Sequence, residues 1–253
     1  VTAEWKLLED GKVVASGKLS GSDIDVAPLA KKEITVPFKK PDLKSGSEYY
    51  LDLDFQLKDK KEWADAGFSI SHEQFAIQFG QNAIPQVDFS SLPKQKHSEG
   101  AGKVEIEGND FYVSINTENA TIENYKLNGV QLIQQGAVPN FWRAPTDNDK
   151  GYNMEGKMGV WRKAGANRKV NSSKVTKVSD NETRVDFNLG IAAGYSTMTM
   201  SYTIYGSGDI VVEYEFKPDA GQPNIPNVGT LFTIPGGFEK VQWYGRGPAE
   251  NYV

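Results

Sequence analysis

The chain has 253 residues, with 28 basic and 33 acidic side chains, a net charge of −5 and no cysteine. Because the charges form no long blocks of one sign, we expect neither nucleic acid nor an anionic membrane as a partner. The absence of cysteine excludes disulfides, a thiolate nucleophile and a cysteine-based zinc site.

The N-terminal residue is Val1, and the sequence shows neither an apolar signal region nor an apolar run long enough to span a bilayer. We therefore expect a soluble piece of a longer protein. Cysteine usage does not distinguish one compartment from another.

The first part of the chain contains several short strand-like runs separated by turns. Two apolar runs flank the dipeptide Asp10-Gly11 and predict a β-hairpin. A run at 34–38 predicts a strand, whose proline favours a sheet edge. Residues 49–57 alternate as a half-buried antiparallel strand does, and runs at 68–70 and 75–79 repeat that alternation. We predict an immunoglobulin-like sandwich over residues 1–82.

Residues 83–101 mix proline, serine and glycine with charges and show no sustained period, which predicts a linker. Beyond it, five runs again alternate between apolar and polar residues. They predict a second, larger antiparallel β-sandwich over residues 102–253, incomplete at its C-terminal end. Within it, only 154–166 could form a short helix or turn. The whole chain is thus predicted to be all-β.

The segment 140–151 interrupts these strands and is the first candidate for a functional site. It contains two aromatic residues next to an arginine, then a proline, two aspartates around an asparagine, and a closing glycine. This composition favours a loop organised by Arg143, Asp147, Asn148 and Asp149. In it, the aspartates accept backbone N–H groups or pair with the arginine.

Two other interpretations of the same acids remain open. A retaining glycosidase needs two carboxyl groups about 5–5.5 Å apart, but residues two apart in an extended loop share a side without any assurance of facing a sugar. Residues 147–151 also resemble the start of a calcium loop, although Lys157 stands where the bidentate glutamate would be required. We therefore favour the structural role and expect neither a metal site nor a cofactor in this chain.

The segment 140–151 also resembles the signature that opens the last domain of the long bacterial β-galactosidases, in glycoside hydrolase family 2. The stretch 243–252 resembles a second signature of that domain at the expected distance downstream. Stretches at 46–51, 62–64 and 72–75 are similar to the fourth, immunoglobulin-like domain of the same enzymes. The resemblance follows family order over almost the whole chain.

This resemblance implies that residues 1–82 are a domain 4-like sandwich and residues 102–253 the first part of the fifth, supersandwich-like small-chain domain. The parent enzyme would hydrolyse terminal β-D-galactosides with retention, using two glutamates on an upstream TIM barrel that also holds a divalent metal such as Mg. The partners implied are that barrel and a galactoside bound through the parent, and a homo-oligomer is left open. The compartment would be the cytoplasm or periplasm of a bacterium. The chain alone is expected to be inactive.

The resemblance also places a mobile, substrate-proximal loop directly after the two acids. It would include Gly151, Tyr152, Asn153 and Glu155, with glycines as hinges. Trp161, beside this loop, could stack on a sugar ring, because an indole offers a broad apolar face. Core packing is the commoner role of a tryptophan.

Two different classes of function stay open beside the galactosidase interpretation. The chain could be a freestanding carbohydrate-binding module, which would need exposed aromatic rings and measurable sugar affinity. It could also be a purely structural or oligomer-forming sandwich, which would show an extensive apolar face and no response to sugar.

Overall fold

The computed structural model describes residues 1–19, 21–80 and 86–245 and confirms the all-β class. The chain divides into two compact units, one formed by Val1–Val87 with Gln242–Val253 and the other by Asp88–Val241.

The first unit is built on one antiparallel sheet with the strand order β2-β1-β3-β4. Its elements are β1 (Thr2–Glu9), β2 (Lys12–Lys18), the one-turn helix α1 (Gly21–Ile24), β3 (Tyr49–Gln56) and β4 (Ser69–Ala76). The predicted hairpin is confirmed, because β1 and β2 pair across a turn at Asp10 and Gly11.

Two strand predictions in this unit were wrong. The runs at 68–70 and 75–79 contribute to the single strand β4, which pairs with β3 along its length. The run at 34–38 lies in irregular chain instead of an edge strand. Its apolar side chains still pack on the core formed by Trp5, Leu7 and Leu51, so burial accounts for the alternation without a ladder.

The second unit holds eleven strands and two short helices. They are β5 (Lys96–Gly100), β6 (Lys103–Glu107), β7 (Phe111–Asn116), β8 (Thr121–Leu127), β9 (Val130–Ile133), β10 (Gln135–Asn140), α2 (Asp147–Gly151), α3 (Met154–Met158), β11 (Lys169–Ser179), β12 (Glu182–Gly190), β13 (Thr197–Tyr205), β14 (Ile210–Lys217) and β15 (Gly229–Thr233). All five runs predicted from alternation lie in these strands. A 3-10 helix, Gly159–Lys163, follows α3, where a short helix or turn was predicted.

These strands form two antiparallel sheets. One has the order β15-β10-β8-β7-β6-β5, with β9 also paired to β8, and the other has the order β11-β12-β13-β14. A single apolar core contains residues of both sheets, including Ile106, Ile115, Leu189 and Tyr202. In β12 the buried residues alternate with partly exposed ones, so one face of that sheet is turned to the core.

The segment predicted as a linker differs in part from that prediction. The 3-10 helix Phe89–Ser91 and strand β5 both fall inside 83–101 and belong to the second unit. Strand β5 pairs with β6 although most of its side chains are exposed. A strand that pairs only through its backbone at the edge of a sheet shows no alternation of apolar and polar residues in its sequence. The proline, serine, glycine and charged residues of this segment therefore suggested a linker.

Candidate functional site

The candidate segment begins where β10 ends. The side-chain amide of Asn140 donates to the carbonyl oxygen of Trp142 at 2.7 Å, and its oxygen accepts from the Trp142 backbone N–H at 3.3 Å. Two bonds to one residue fix the turn in which the chain leaves the sheet. Phe141, between these residues, is buried in the core of the second unit.

A charged capping arrangement follows and organises the start of α2. Thr146 is the N-cap residue: its hydroxyl accepts from the Asp149 N–H at 3.3 Å, while the Asp149 carboxylate accepts from the Thr146 N–H at 2.8 Å. Arg143 adds a two-pronged ion pair, with Nη1 to Oδ2 of Asp149 at 2.5 Å and Nη2 to Oδ1 at 2.9 Å. This is the charge-assisted fork that holds a guanidinium and a carboxylate in one geometry.

The ionisation of Asp149 follows from these contacts. The Arg143 guanidinium first, and the Thr146 N–H second, lower the pKa of Asp149 from its ordinary 3.8 to about 2. The side chain is only 16% exposed. Asp149 therefore stays ionised at any physiological pH and serves as an acceptor for its own loop.

The other two residues of the predicted organising set have lesser roles. Asp147 does not pair with Arg143: its carboxylate, 98% exposed, contacts Lys150 Nζ at 3.0 Å. Asn148 contributes through its backbone carbonyl, which accepts from the Tyr152 N–H at 2.9 Å. The predicted extended loop was wrong here, because residues 147–151 are helical and the two aspartates point to different partners.

Sequence reasoning missed Thr146. The signal was present as Thr-x-x-Asp, an acidic variant of the capping box that precedes many helices. The same helical turn argues against a calcium loop, since the backbone is not extended and the Asp149 oxygens are bound by Arg143 and Thr146.

The predicted mobile loop after the acids is also helical. Gly151 is the last residue of α2, and α3 begins at Met154, whose side chain is buried. The left-handed conformation that favours glycine occurs at Asn153, with φ of 57°, and not at Gly151. The structure therefore gives this stretch two short helices and an apolar anchor in place of a glycine-hinged loop.

Its outer surface nevertheless remains accessible. Tyr152 is 52% exposed, and the Lys157 ammonium lies 3.7 Å from the centre of its ring, in a cation–π contact. Glu155 pairs with Arg162 at 3.3 Å, and Gly151 and Asn153 are also exposed. These four predicted residues form one stretch of surface over 151–155 supported by the ordered capping turn.

Trp161 does not belong to that surface. Its side chain is fully buried and packs against Phe141 and Phe216, with the Phe216 ring edge-on at 5.9 Å between centroids. Its indole N–H donates to the Pro223 carbonyl at 2.9 Å. The hypothesis that Trp161 stacks on a sugar is therefore wrong, because both faces of its ring are taken up by the core.

The second signature is described only in part. Trp243 is 66% exposed, and the Tyr244 ring lies 6.5 Å from that of Tyr50 in the first unit. The remaining positions, 246–252, lie outside the described residues.

Within residues 1–19, 21–80 and 86–245, no group of three or more histidine, aspartate and glutamate side chains could hold a metal ion. No helix in that part of the chain has the length and apolar character that a membrane crossing requires.

Comparisons with known proteins agree across both units. A family model described as "Beta galactosidase small chain" matches residues 107–253, and one described as "Beta-galactosidase, domain 4" matches residues 1–78. Together they match most of the sequence in one order.

Several similar proteins are named beta-galactosidase. The beta-galactosidase of Priestia megaterium is 29% identical over 98% of this chain, and that of Clostridium acetobutylicum is 27% identical over 96%. The beta-galactosidase of Halalkalibacterium halodurans is 27% identical over 91% of the chain. The match spans only 24%, 26% and 23% of these three proteins respectively, so the chain corresponds to about a quarter of each.

Proposed function

We propose that this chain, which belongs to the beta galactosidase small chain family, is a non-catalytic C-terminal part of a β-galactosidase of glycoside hydrolase family 2. One observation carries the proposal: models of two β-galactosidase regions match it in succession, while the chain spans about a quarter of its relatives. The rest of such a protein has ample length for a separate catalytic domain.

The chemistry of the candidate segment supports the non-catalytic role. Retaining hydrolysis requires one carboxyl group that can donate a proton and a second, about 5–5.5 Å away, that attacks the sugar. The pKa of Asp149, lowered to about 2 by Arg143 and Thr146, excludes it as a proton donor at neutral pH. Asp147 is exposed and paired with Lys150. We propose that both catalytic glutamates lie on the parent's TIM barrel and act on terminal β-D-galactosides there.

The same reasoning applies to the divalent metal that the family implies. Among residues 1–19, 21–80 and 86–245, no group of three or more histidine, aspartate and glutamate side chains could hold that metal. Its ligands would come from the barrel.

We further propose that the surface over 151–155 meets the catalytic barrel near the mouth of its active site. The capping turn from Arg143 to Asp149 holds the N-terminal side of this surface, and the buried Met154 within it anchors it to the unit. The exposed groups of Tyr152, Asn153 and Glu155 are then available to the barrel or to a bound galactoside. In this proposal, residues 151–155 act as a preformed surface that is held in position, and not as a moving lid.

An activity assay tests the non-catalytic role. The purified chain is expected to release no nitrophenol from a nitrophenyl β-galactoside above a buffer blank. Turnover that disappears in Asp149→Asn would overturn this part of the proposal.

The positioning role needs the full-length parent. Tyr152→Ala there is expected to lower kcat/KM about tenfold, the loss of one contact in the transition state, without lowering Tm. Lys163→Ala, an exposed change in the following 3-10 helix, serves as the matched control and should keep normal kinetics. Unchanged kinetics in Tyr152→Ala would reduce 151–155 to ordinary surface.

A further inference from the structure

The sheet formed by β11, β12, β13 and β14 carries a polar groove. Its volume is about 480 Å³, within the range of about 300–1,000 Å³ of small-molecule sites. In β12, Val185, Phe187 and Leu189 are buried in the core, so the groove residues Arg184 and Asp186 project from the opposite face. The groove therefore lies on the face of the sheet opposite the core, although the core residues Phe187 and Met200 also line it, and it contains no residue of the candidate segment.

Arg184 is the organising residue of this groove. Its Nε donates to Asp186 at 2.8 Å, and its Nη1 donates to Glu213 at 2.9 Å and to the Thr203 hydroxyl at 3.3 Å. Its Nη2 donates to the Ser201 hydroxyl at 2.8 Å. The two carboxylates raise the pKa of Arg184 further. One guanidinium thus ties together side chains of β12, β13 and β14 and fixes them before any ligand arrives.

The fixed carboxylates are suited to accept hydrogen bonds from a ligand. Arg184 binds Oδ1 of Asp186 and Oε2 of Glu213, which leaves the second oxygen of each as an acceptor. Neutral donors and acceptors also line the groove, in Ser172 of β11, Asn188 of β12 and Thr199 of β13. Adjacent hydroxyl groups on a ligand could therefore both donate and accept within one groove.

The charge of the lining narrows the class of ligand. Three carboxylates, from Asp186, Glu213 and Glu215, stand against two cations, Lys174 and Arg184. Lys217, beside the lining, pairs with Glu215 at 3.3 Å, and Arg184 is held by Asp186 and Glu213. An anionic ligand would compete with these carboxylates for their cations, whereas a neutral ligand would not.

We propose that this groove is a binding site for a neutral saccharide of one or two rings. Arg184 holds the acceptors, Asp186 and Glu213 bind sugar hydroxyls, and Asn188 and Thr199 complete the polar contacts. The residues that form it all lie within the second unit.

The test is a titration of the ¹⁵N-labelled chain with lactose, followed by NMR. Saturable shifts with a millimolar Kd are expected at the backbone amides of 184–188 and 199–201. Galactose 6-phosphate is expected to bind more weakly than galactose, because its phosphate would compete with Asp186 and Glu213 for the Arg184 guanidinium. Tighter binding of the phosphate ester would overturn the proposal.

Variants locate the binding in the groove. Glu213→Gln is expected to weaken lactose about fivefold, the loss expected for one hydrogen bond. Thr199→Val removes a hydroxyl from the groove while keeping the shape of the side chain, and Thr199 is not bonded to Arg184. This variant therefore keeps the test decisive if Glu213→Gln folds poorly. Glu182→Gln, on β12 but outside the groove lining, is the matched control and should bind as the wild type does. The proposal fails if no saturable shift occurs up to the solubility limit of lactose, or if both groove variants bind normally.

Discussion

At the scale of the residue, the Arg143–Asp149 pair makes the candidate segment a defined turn. We predict that Arg143→Met raises the pKa of Asp149 from about 2 towards its ordinary 3.8, because the guanidinium is the largest of the effects that lower it. A ¹³C NMR titration of the Asp149 carboxyl carbon measures this directly. The Thr146 N–H remains in the variant, so a partial return is expected.

The same pair makes stability depend on pH in a fixed direction. Because the folded pKa of Asp149 lies below the unfolded one, its contribution is present above 3.8 and is lost as pH falls towards about 2. Arg143→Met should flatten that part of the stability profile. Lys150→Met, which removes only the partner of Asp147, is the control and should leave the Asp149 titration unchanged. An Asp149 pKa that stays near 2 without Arg143 would refute this account.

The sequence predicted that the two acids would accept backbone N–H groups or pair with Arg143, but not which acid would do so. Asp147 and Asp149 differ by two positions, and the choice depends on the helical turn that begins at Thr146. Trp161 shows a different limit of prediction from sequence. Its partner Phe216 lies on β14, distant in sequence, so no local pattern could reveal that its ring faces would be covered.

At the scale of the element, the distance between neighbouring backbone segments determines which substitutions the chain around α2 and α3 tolerates. A Cβ at Gly165 would lie 1.8 Å from the Pro139 carbonyl oxygen of β10. One of the two backbone segments would therefore have to move to accommodate it. We predict that Gly165→Ala lowers the free energy of unfolding by about 1–3 kcal/mol, the usual cost of overpacking. Equilibrium unfolding in urea measures the difference.

Gly151 provides a control of opposite sign on the same segment. A Cβ there would meet no atom within 4 Å, and the residue is already helical. Gly151→Ala is therefore expected to raise the free energy of unfolding by about 0.5 kcal/mol. Equal urea midpoints for the two alanine variants would contradict the packing described for Gly165.

Strands were predictable wherever one face is buried, as in β6 and β12, since burial on one side imposes a period of two. Strand β5 was not, because edge pairing by backbone alone leaves exposed side chains without a pattern. The helices α2 and α3 are five residues each, too short for a helical stripe. Their position rests on a cap and on single anchors such as Met154.

At the scale of the whole molecule, each unit has a core of its own. Trp5, Leu7 and Leu51 belong to the core of the first unit, and Trp161 and Tyr202 to that of the second. Separate cores are the physical requirement for units that unfold separately.

We predict two transitions in differential scanning calorimetry, each sensitive to mutation in one core only. Leu7 is fully buried, so Leu7→Ala should destabilise the first unit by about 2–5 kcal/mol, and Trp161→Ala should destabilise the second by about 3–5 kcal/mol. Each variant should lower one melting temperature and leave the other in place, because neither cavity touches the other core. Tyr195→Ala, at a side chain 93% exposed, controls for loss of an aromatic ring and should shift neither. If Leu7→Ala and Trp161→Ala lowered the same single transition, the two units would unfold as one cooperative body, and the division at residues 87 and 88 would have no thermodynamic meaning.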